Sequence, residues 1–145
     1  MISTALRKQV IAEANGCCEY CRNQQRFSTG QFSIEHILPL AKGGMDSREN
    51  LAFSCPACNA HKYTQTHGLD NVTRQMAPVF NPRMQVWEGH FTWSDDFTQI
   101  IALSPSGRVT IIALKMNRVE SMNLRKVLYA FGEHPPGAAD FSPPQ

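Results

Sequence analysis

The chain has 145 residues, with 14 Lys or Arg against 12 Asp or Glu and five cysteines. This length fits one ordinary domain or two very small ones, and small domains often need a metal or disulfides to supplement a limited apolar core. No apolar run approaches a membrane span of roughly 20 residues and no signal-peptide core follows the first residues, so we expect a soluble cytoplasmic protein that does not bind membranes.

The first half of the chain predicts a helix, two strands and a second helix. Residues 4–15 carry apolar side chains at helical spacing, which Asn15-Gly16 ends. Residues 32–37 alternate as a strand, and residues 51–53 form a short return strand. Between them, Asp46 or Ser47 is a candidate cap for a single helical turn that leads to Asn50. Helix-compatible residues follow from 59 to 66.

The second half predicts a hairpin and two helices. Residues 91–93 and 98–103 flank a turn and read as its strands. Residues 104–116 fit either a strand or a helix, and we favour a helix because Ser104-Pro105 is a typical helix start. Residues 117–120 resemble a capping box for a last helix, whose apolar stripe contains Leu124, Val127, Leu128 and Phe131.

These elements suggest three segments of an α+β protein. Residues 4–66 form a first domain and residues 67–133 a small α+β extension. Residues 134–145 are rich in proline and glycine and are expected to be a disordered tail.

Four of the five cysteines form two Cys-x-x-Cys pairs, Cys18 with Cys21 and Cys55 with Cys58. Tetrahedral Zn²⁺ takes four such ligands, and each turn places two thiolates on one side of the ion. Four cysteines leave no open coordination position, so we expect a structural zinc site. Two disulfides or one redox-active pair are the alternatives. The odd Cys17 and the lack of a βαβ pattern argue against them.

The residues around and between these pairs resemble the HNH endonuclease family in its zinc-clamped ββα-metal (His-Me finger) form. Four motifs carry the resemblance in order: Cys18-Glu-Tyr-Cys21, Ile34-Glu35-His36-Ile37 with Gly43-Gly44, Glu49-Asn50-Leu51, and Cys55-Pro-Ala-Cys58-Asn59. The family implies hydrolysis of a DNA phosphodiester with one divalent cation, commonly Mg²⁺ or Mn²⁺. Residues 79–108 are similar to the C-terminal extension of stand-alone bacterial members, and no role is attached to it.

The residue types also suit this chemistry. A histidine held against water can take its proton near neutral pH, which makes His36 the candidate general base. Glu35 and Asn59 offer oxygen ligands for a hard divalent cation, with open positions left for water and phosphate. By resemblance, Asn50 fixes the loop between the strands and so orients His36.

Two departures from the most familiar pattern concern the cation. Glu35 stands where Asp is common, and Asn59 stands where His is common, which favours Mg²⁺ or Mn²⁺ over a transition metal. His61 is the alternative ligand, although residues two apart lie on different faces of a helix. A further five basic residues are candidates either for phosphate contacts or for solvated surface charge: Arg22, Arg26, Lys42, Arg48 and Lys62.

Two other functions compete with the nuclease. A zinc module that binds nucleic acid or protein without catalysis needs only the cysteines, and a thiol redox protein would hold no stoichiometric zinc. A single ββα site cuts one strand, so cleavage of both strands of DNA would need a homodimer or two encounters.

Overall fold

The computed structural model describes residues 1–137, and these form two compact units, Met1–Thr64 and Gln65–Pro136. The predicted tail lies outside the described residues from position 138 onward. At its start, His134 is buried, and its imidazole packs edge-on against Trp93. None of the helices in the described part of the chain combines the length and apolar character needed to span a bilayer.

The first helix, α1, spans Thr4–Ala14 as predicted. The Ser3 side chain accepts a hydrogen bond from the Leu6 N–H, and Asn15 adopts the left-handed conformation that ends the helix. Val10 and Ala14 are its buried residues. The helix therefore leads directly into the first cysteine pair.

The predicted strand, strand and helix are confirmed as β1 (Ser33–His36), β2 (Leu51–Ser54) and α2 (Pro56–Lys62). The strands pair antiparallel, with Ser33 opposite Ser54 and His36 opposite Leu51. The helix begins three residues earlier than predicted because Cys55 is its cap and proline suits its first position. It ends at Lys62 because Tyr63 has a positive φ of 49°.

Between the strands, Arg48–Asn50 form the predicted helical turn. It follows Ser47, whose side chain makes no capping hydrogen bond.

The second unit contains two hairpins. One joins β3 (His67–Leu69) to β4 (Met76–Pro78), and the sequence did not predict it. The other joins β5 (Phe91–Trp93) to β6 (Ile100–Ala102), as predicted. A bidentate ion pair of 2.7 and 2.9 Å joins Arg108 to Asp70, which follows β3.

The two predicted helices of this unit are α3 (Pro105–Ala113) and α4 (Val119–Ala130). The helical interpretation of α3 is confirmed, since the Ser104 side chain accepts from the Gly107 N–H.

The predicted capping box of α4 is wrong. The Asn117 carboxamide bonds both backbone groups of Ile100 instead of capping the helix. The predicted apolar stripe is also wrong in part, because Val127 and Phe131 are exposed while Ser121 and Arg125 are buried.

Candidate active site and metal centre

The four paired cysteines converge on one buried point. Their sulfur atoms all lie within 4.8 Å of one another, and Cys21 Sγ is 3.7 Å from Cys55 Sγ. Ligands about 2.3 Å from a tetrahedral zinc ion are separated by roughly 3.8 Å, so the cluster has the dimensions of a zinc site. All five cysteines belong to the described residues, and none forms a disulfide. Cys17 is buried and lies outside the cluster.

The electrostatics of the cluster favour a divalent cation. Hydrogen bonds from the thiols of Cys18, Cys21 and Cys58 lower the pKa of Cys55. The pKa values of Cys21 and Cys58 are raised, chiefly by hydrogen bonding with Cys18. Several thiolates cannot share such a small buried volume without a compensating charge. A bound zinc ion would supply that charge, and its binding would release the thiol protons.

His36 lies at the end of β1 with its imidazole partly accessible. Its Nε2 atom is 2.7 Å from Oδ1 of Asp46, in the loop between β1 and β2. When Nε2 carries the proton and donates it to this carboxylate, Nδ1 keeps a lone pair. Within residues 1–137 no protein group forms a hydrogen bond with Nδ1. This arrangement leaves one ring nitrogen open to a water molecule.

The Asn50 side chain holds the loop between β1 and β2 in place. Its Oδ1 accepts from the Leu38 N–H at 2.7 Å, and its Nδ2 donates to the carbonyls of Leu38 and Met45, each at 3.0 Å. The contacts bracket the segment that contains Pro39, Gly43 and Gly44. They hold the chain on both sides of that segment, directly after His36.

Glu35 is the buried member of β1, with 6% of its surface exposed. One carboxylate oxygen accepts from the Tyr20 hydroxyl, and the other accepts from Lys62 Nζ at 3.1 Å. Burial raises the pKa of Glu35, while Lys62 and Tyr20 oppose the rise. Burial and the neighbouring carboxylate raise the pKa of Tyr20, so its hydroxyl keeps the proton that it donates.

Asn59 is exposed on α2, and its Nδ2 donates to Ser33 Oγ at 3.4 Å. Ser33 and Glu35 share one face of β1 because side chains alternate along a strand. Asn59 and Lys62 contact these two residues from α2, so Glu35 and Asn59 lie on facing elements. Within residues 1–137, however, no hydrogen bond joins Glu35 to Asn59. His61, the alternative ligand, is partly buried on the same helix.

The donor chemistry at Glu35 and Asn59 fits a hard divalent cation. A carboxylate offers about four lone-pair positions, and the contacts to Tyr20 and Lys62 take one on each oxygen. Carboxylates that bind metals are commonly hydrogen-bonded in this way. The carbonyl oxygen of the Asn59 side chain accepts no hydrogen bond within the described residues.

Sequence reasoning missed three residues of this site: Tyr20, Asp46 and Lys62. The residue type of Lys62 predicts a phosphate contact or a surface charge, and both predictions are wrong because 1% of its surface is exposed. The sequence position of Asp46 predicts only a helix cap. Tyr20 stands inside the first Cys-x-x-Cys pair, and this position is the sequence signal that could have placed it near the buried site.

The strands, the helix and the cysteine cluster of the first unit together indicate its structural class. The antiparallel strands β1 and β2, the helix α2 and the four-cysteine cluster fit a zinc-binding ββα-metal fold. Comparison with known protein families identifies the same segment: residues 18–65, a third of the chain, match the family model described as HNH endonuclease. Residues 18–65 are therefore an HNH endonuclease domain, and the cluster fits its zinc-binding type. No curated protein and no solved structure significantly matches the chain. An HNH domain implies a nuclease or nucleic-acid-binding role.

Proposed function

We propose that the protein is a metal-dependent endonuclease that hydrolyses phosphodiester bonds of DNA, with His36 as the general base. The observation that supports this most directly is the pairing of His36 Nε2 with Asp46 at 2.7 Å, which leaves Nδ1 without a protein hydrogen-bond partner within residues 1–137. A base held by one nitrogen and open at the other is the arrangement that water activation requires.

His36 and Asp46 have separate roles in proton transfer. Nδ1 takes a proton from the attacking water, and the imidazole becomes a cation. The Asp46 carboxylate stabilises that cation and holds the ring in the reactive tautomer. Asn50 keeps the loop after His36 in place through its three hydrogen bonds to Leu38 and Met45.

Glu35 and Asn59 would hold Mg²⁺ or Mn²⁺, which offsets the negative charge that develops on the phosphate and on the leaving oxygen. The zinc held by Cys18, Cys21, Cys55 and Cys58 would be structural. Zinc thiolates persist where thiols stay reduced, so the proposal includes a reducing compartment such as the cytoplasm.

A nicking assay on supercoiled plasmid tests the proposal. Wild-type protein should form nicked circles with Mg²⁺ or Mn²⁺ and none with a chelator, and the assay should include single-stranded, duplex and branched DNA. His36→Ala should be inactive yet folded, with one zinc per chain by elemental analysis. His67→Ala, a change of an exposed histidine, is the matched control and should cut normally.

A second candidate is a nucleic-acid- or protein-binding module without catalysis. It is favoured by one observation, that both oxygens of Glu35 already bond protein groups. That protein would bind DNA in a gel-shift assay and leave it uncut with every divalent ion. Full cleavage by His36→Ala would instead remove His36 from the mechanism.

A further inference from the structure

Lys62 is a fully buried lysine with a specific set of partners. Its ammonium donates to Glu35 Oε2 at 3.1 Å and to the backbone carbonyls of His36 and Ile37 at 3.2 and 2.9 Å. An ammonium has three hydrogens, and these three acceptors use all of them. Burial of a charge is destabilising unless the charge is paired and hydrogen-bonded, and here it is both.

These three acceptors are consecutive in the chain. They belong to Glu35, His36 and Ile37, at the point where β1 ends and the loop to β2 begins. One side chain therefore bridges the carboxylate of a candidate metal ligand and the backbone of the candidate base. The bridge comes from the last residue of α2, 25 to 27 positions further along the chain.

Tyr20 holds the other carboxylate oxygen of Glu35. It is completely buried between Cys18 and Cys21, and its hydroxyl donates to the carboxylate oxygen that Lys62 does not contact. Lys62 ends the helix that Cys55 caps and that contains Cys58. Both partners of Glu35 are thus attached to elements that supply zinc ligands.

We propose that Tyr20 and Lys62 are positioning residues that connect the zinc cluster to the active site. They orient Glu35, and Lys62 also fixes the backbone that sets the direction of the His36 imidazole. The inference rests on the proposed nuclease function. A shift of about 1 Å in a reacting group can lower a rate about 100-fold, so the effect should appear in the chemical step.

Two variants test this. Tyr20→Phe removes only a hydroxyl, and Lys62→Met removes the charge but keeps the length of the side chain. Tyr63→Phe and Lys8→Met, both changes of exposed residues, are the matched controls. Zinc content and thermal unfolding identify folded variants, and plasmid nicking at saturating Mg²⁺ gives kcat and KM.

We expect kcat to fall about 10-fold in Tyr20→Phe and about 100-fold in Lys62→Met, with KM for DNA within about 3-fold of wild type. The controls should match wild type. A zinc-loaded Lys62→Met with unchanged kcat would overturn the role of Lys62. A raised KM with unchanged kcat would do the same, because it would indicate a DNA contact. If Lys62→Met loses its zinc, the proposal is tested by Tyr20→Phe alone. A normal kcat in Tyr20→Phe would then overturn the proposal.

A second measurement does not depend on cleavage. The imidazole signals of His36 in a ¹H–¹⁵N NMR spectrum should move in Lys62→Met and stay in place in Lys8→Met. Unmoved His36 signals would overturn the positioning role even in an active enzyme. If the wild type fails to nick DNA, the proposed function fails by itself, and this spectrum still decides whether Lys62 positions His36.

Discussion

Among single residues, the proposed chemistry depends most on the contact between His36 and Asp46. The 2.7 Å contact orients the ring, and the carboxylate can only accept the ring proton. Asp46→Asn keeps the shape but introduces an amide that can also donate, which would favour the wrong tautomer. We predict a nicking rate about 100-fold lower near neutral pH, with zinc content unchanged.

The rate of Asp46→Asn should be followed from pH 6 to 9 beside Asp95→Asn, a change of an exposed carboxylate. A wild-type rate in Asp46→Asn would show that this contact does not orient the base.

Asp70, in the unit Gln65–Pro136, forms an ion pair with Arg108 that makes stability depend on pH. Its hydrogen bonds with Arg108, followed by those with Thr73, lower the pKa of the Asp70 carboxyl. A lowered pKa means that the folded state favours the ionised form. The resulting stability is present above the ordinary carboxyl pKa, near 4, and is lost as the pH falls toward the folded value. Asp70→Asn should therefore lower the urea midpoint at pH 7, and its difference from wild type should shrink below pH 4.

Tryptophan fluorescence suits this measurement because both tryptophans, Trp87 and Trp93, belong to the same unit as Asp70. Asp95→Asn again serves as the control. A difference between Asp70→Asn and wild type that stays constant with pH would exclude this ion pair as the source of acid sensitivity.

At the scale of elements, the loop between β1 and β2 closes around Gly44. A Cβ at this position would lie 1.7 Å from the Leu38 carbonyl oxygen and 2.8 Å from Asn50 Nδ2. No side chain can fit there without displacing the backbone that Asn50 holds. We predict that Gly44→Ala destabilises the domain by about 1–3 kcal/mol and lowers the nicking rate.

Urea-induced zinc release, followed with a colorimetric chelator, measures the stability of this domain. Gly89→Ala is the control because a Cβ at that position meets no atom within 4 Å. Equal zinc-release midpoints for Gly44→Ala and wild type would show that the loop rearranges freely.

For the molecule as a whole, we predict that the unit Met1–Thr64 needs zinc at its four-cysteine cluster to stay folded. About 60 residues bury too little apolar surface for large stability, and zinc binding to thiolates contributes directly to folding. We predict that a strong chelator at pH 7 collapses the dispersed NMR signals of residues 18–65, and that added zinc restores them. Chelator already saturated with zinc is the control. Signals that survive full zinc removal would show that the apolar core is sufficient by itself.

Much of this architecture follows from local patterns. Ser3 and Ser104 start helices because a side-chain oxygen accepts the first free N–H groups. The two cysteine pairs predict a zinc site because their spacing matches the geometry of one ion. The β3–β4 hairpin has no such pattern: its strands are three residues each, with one buried residue between them, Ala77.

The roles of charged residues depend on distant partners. Lys62 and Arg125 would be assigned to the surface from their residue types, yet both are buried. Arg125 donates to the carbonyls of Thr98 and Met116, and its guanidinium lies over the Trp93 ring. These acceptors become available only after the chain has folded, so no local sequence pattern predicts them.

Local sequence patterns are sufficient to predict the four candidate zinc ligands, the β1–β2–α2 order and the candidate residues Glu35, His36, Asn50 and Asn59, because ligand spacing and strand and helix signals act over short distances. The pairing of Asp46 with His36, and the contacts of Tyr20 and Lys62 with Glu35, become visible in the folded structure alone. Each of these contacts joins residues 10 to 27 positions apart, whose meeting depends on how the elements pack. A buried charge is stable only where such packing supplies its partners.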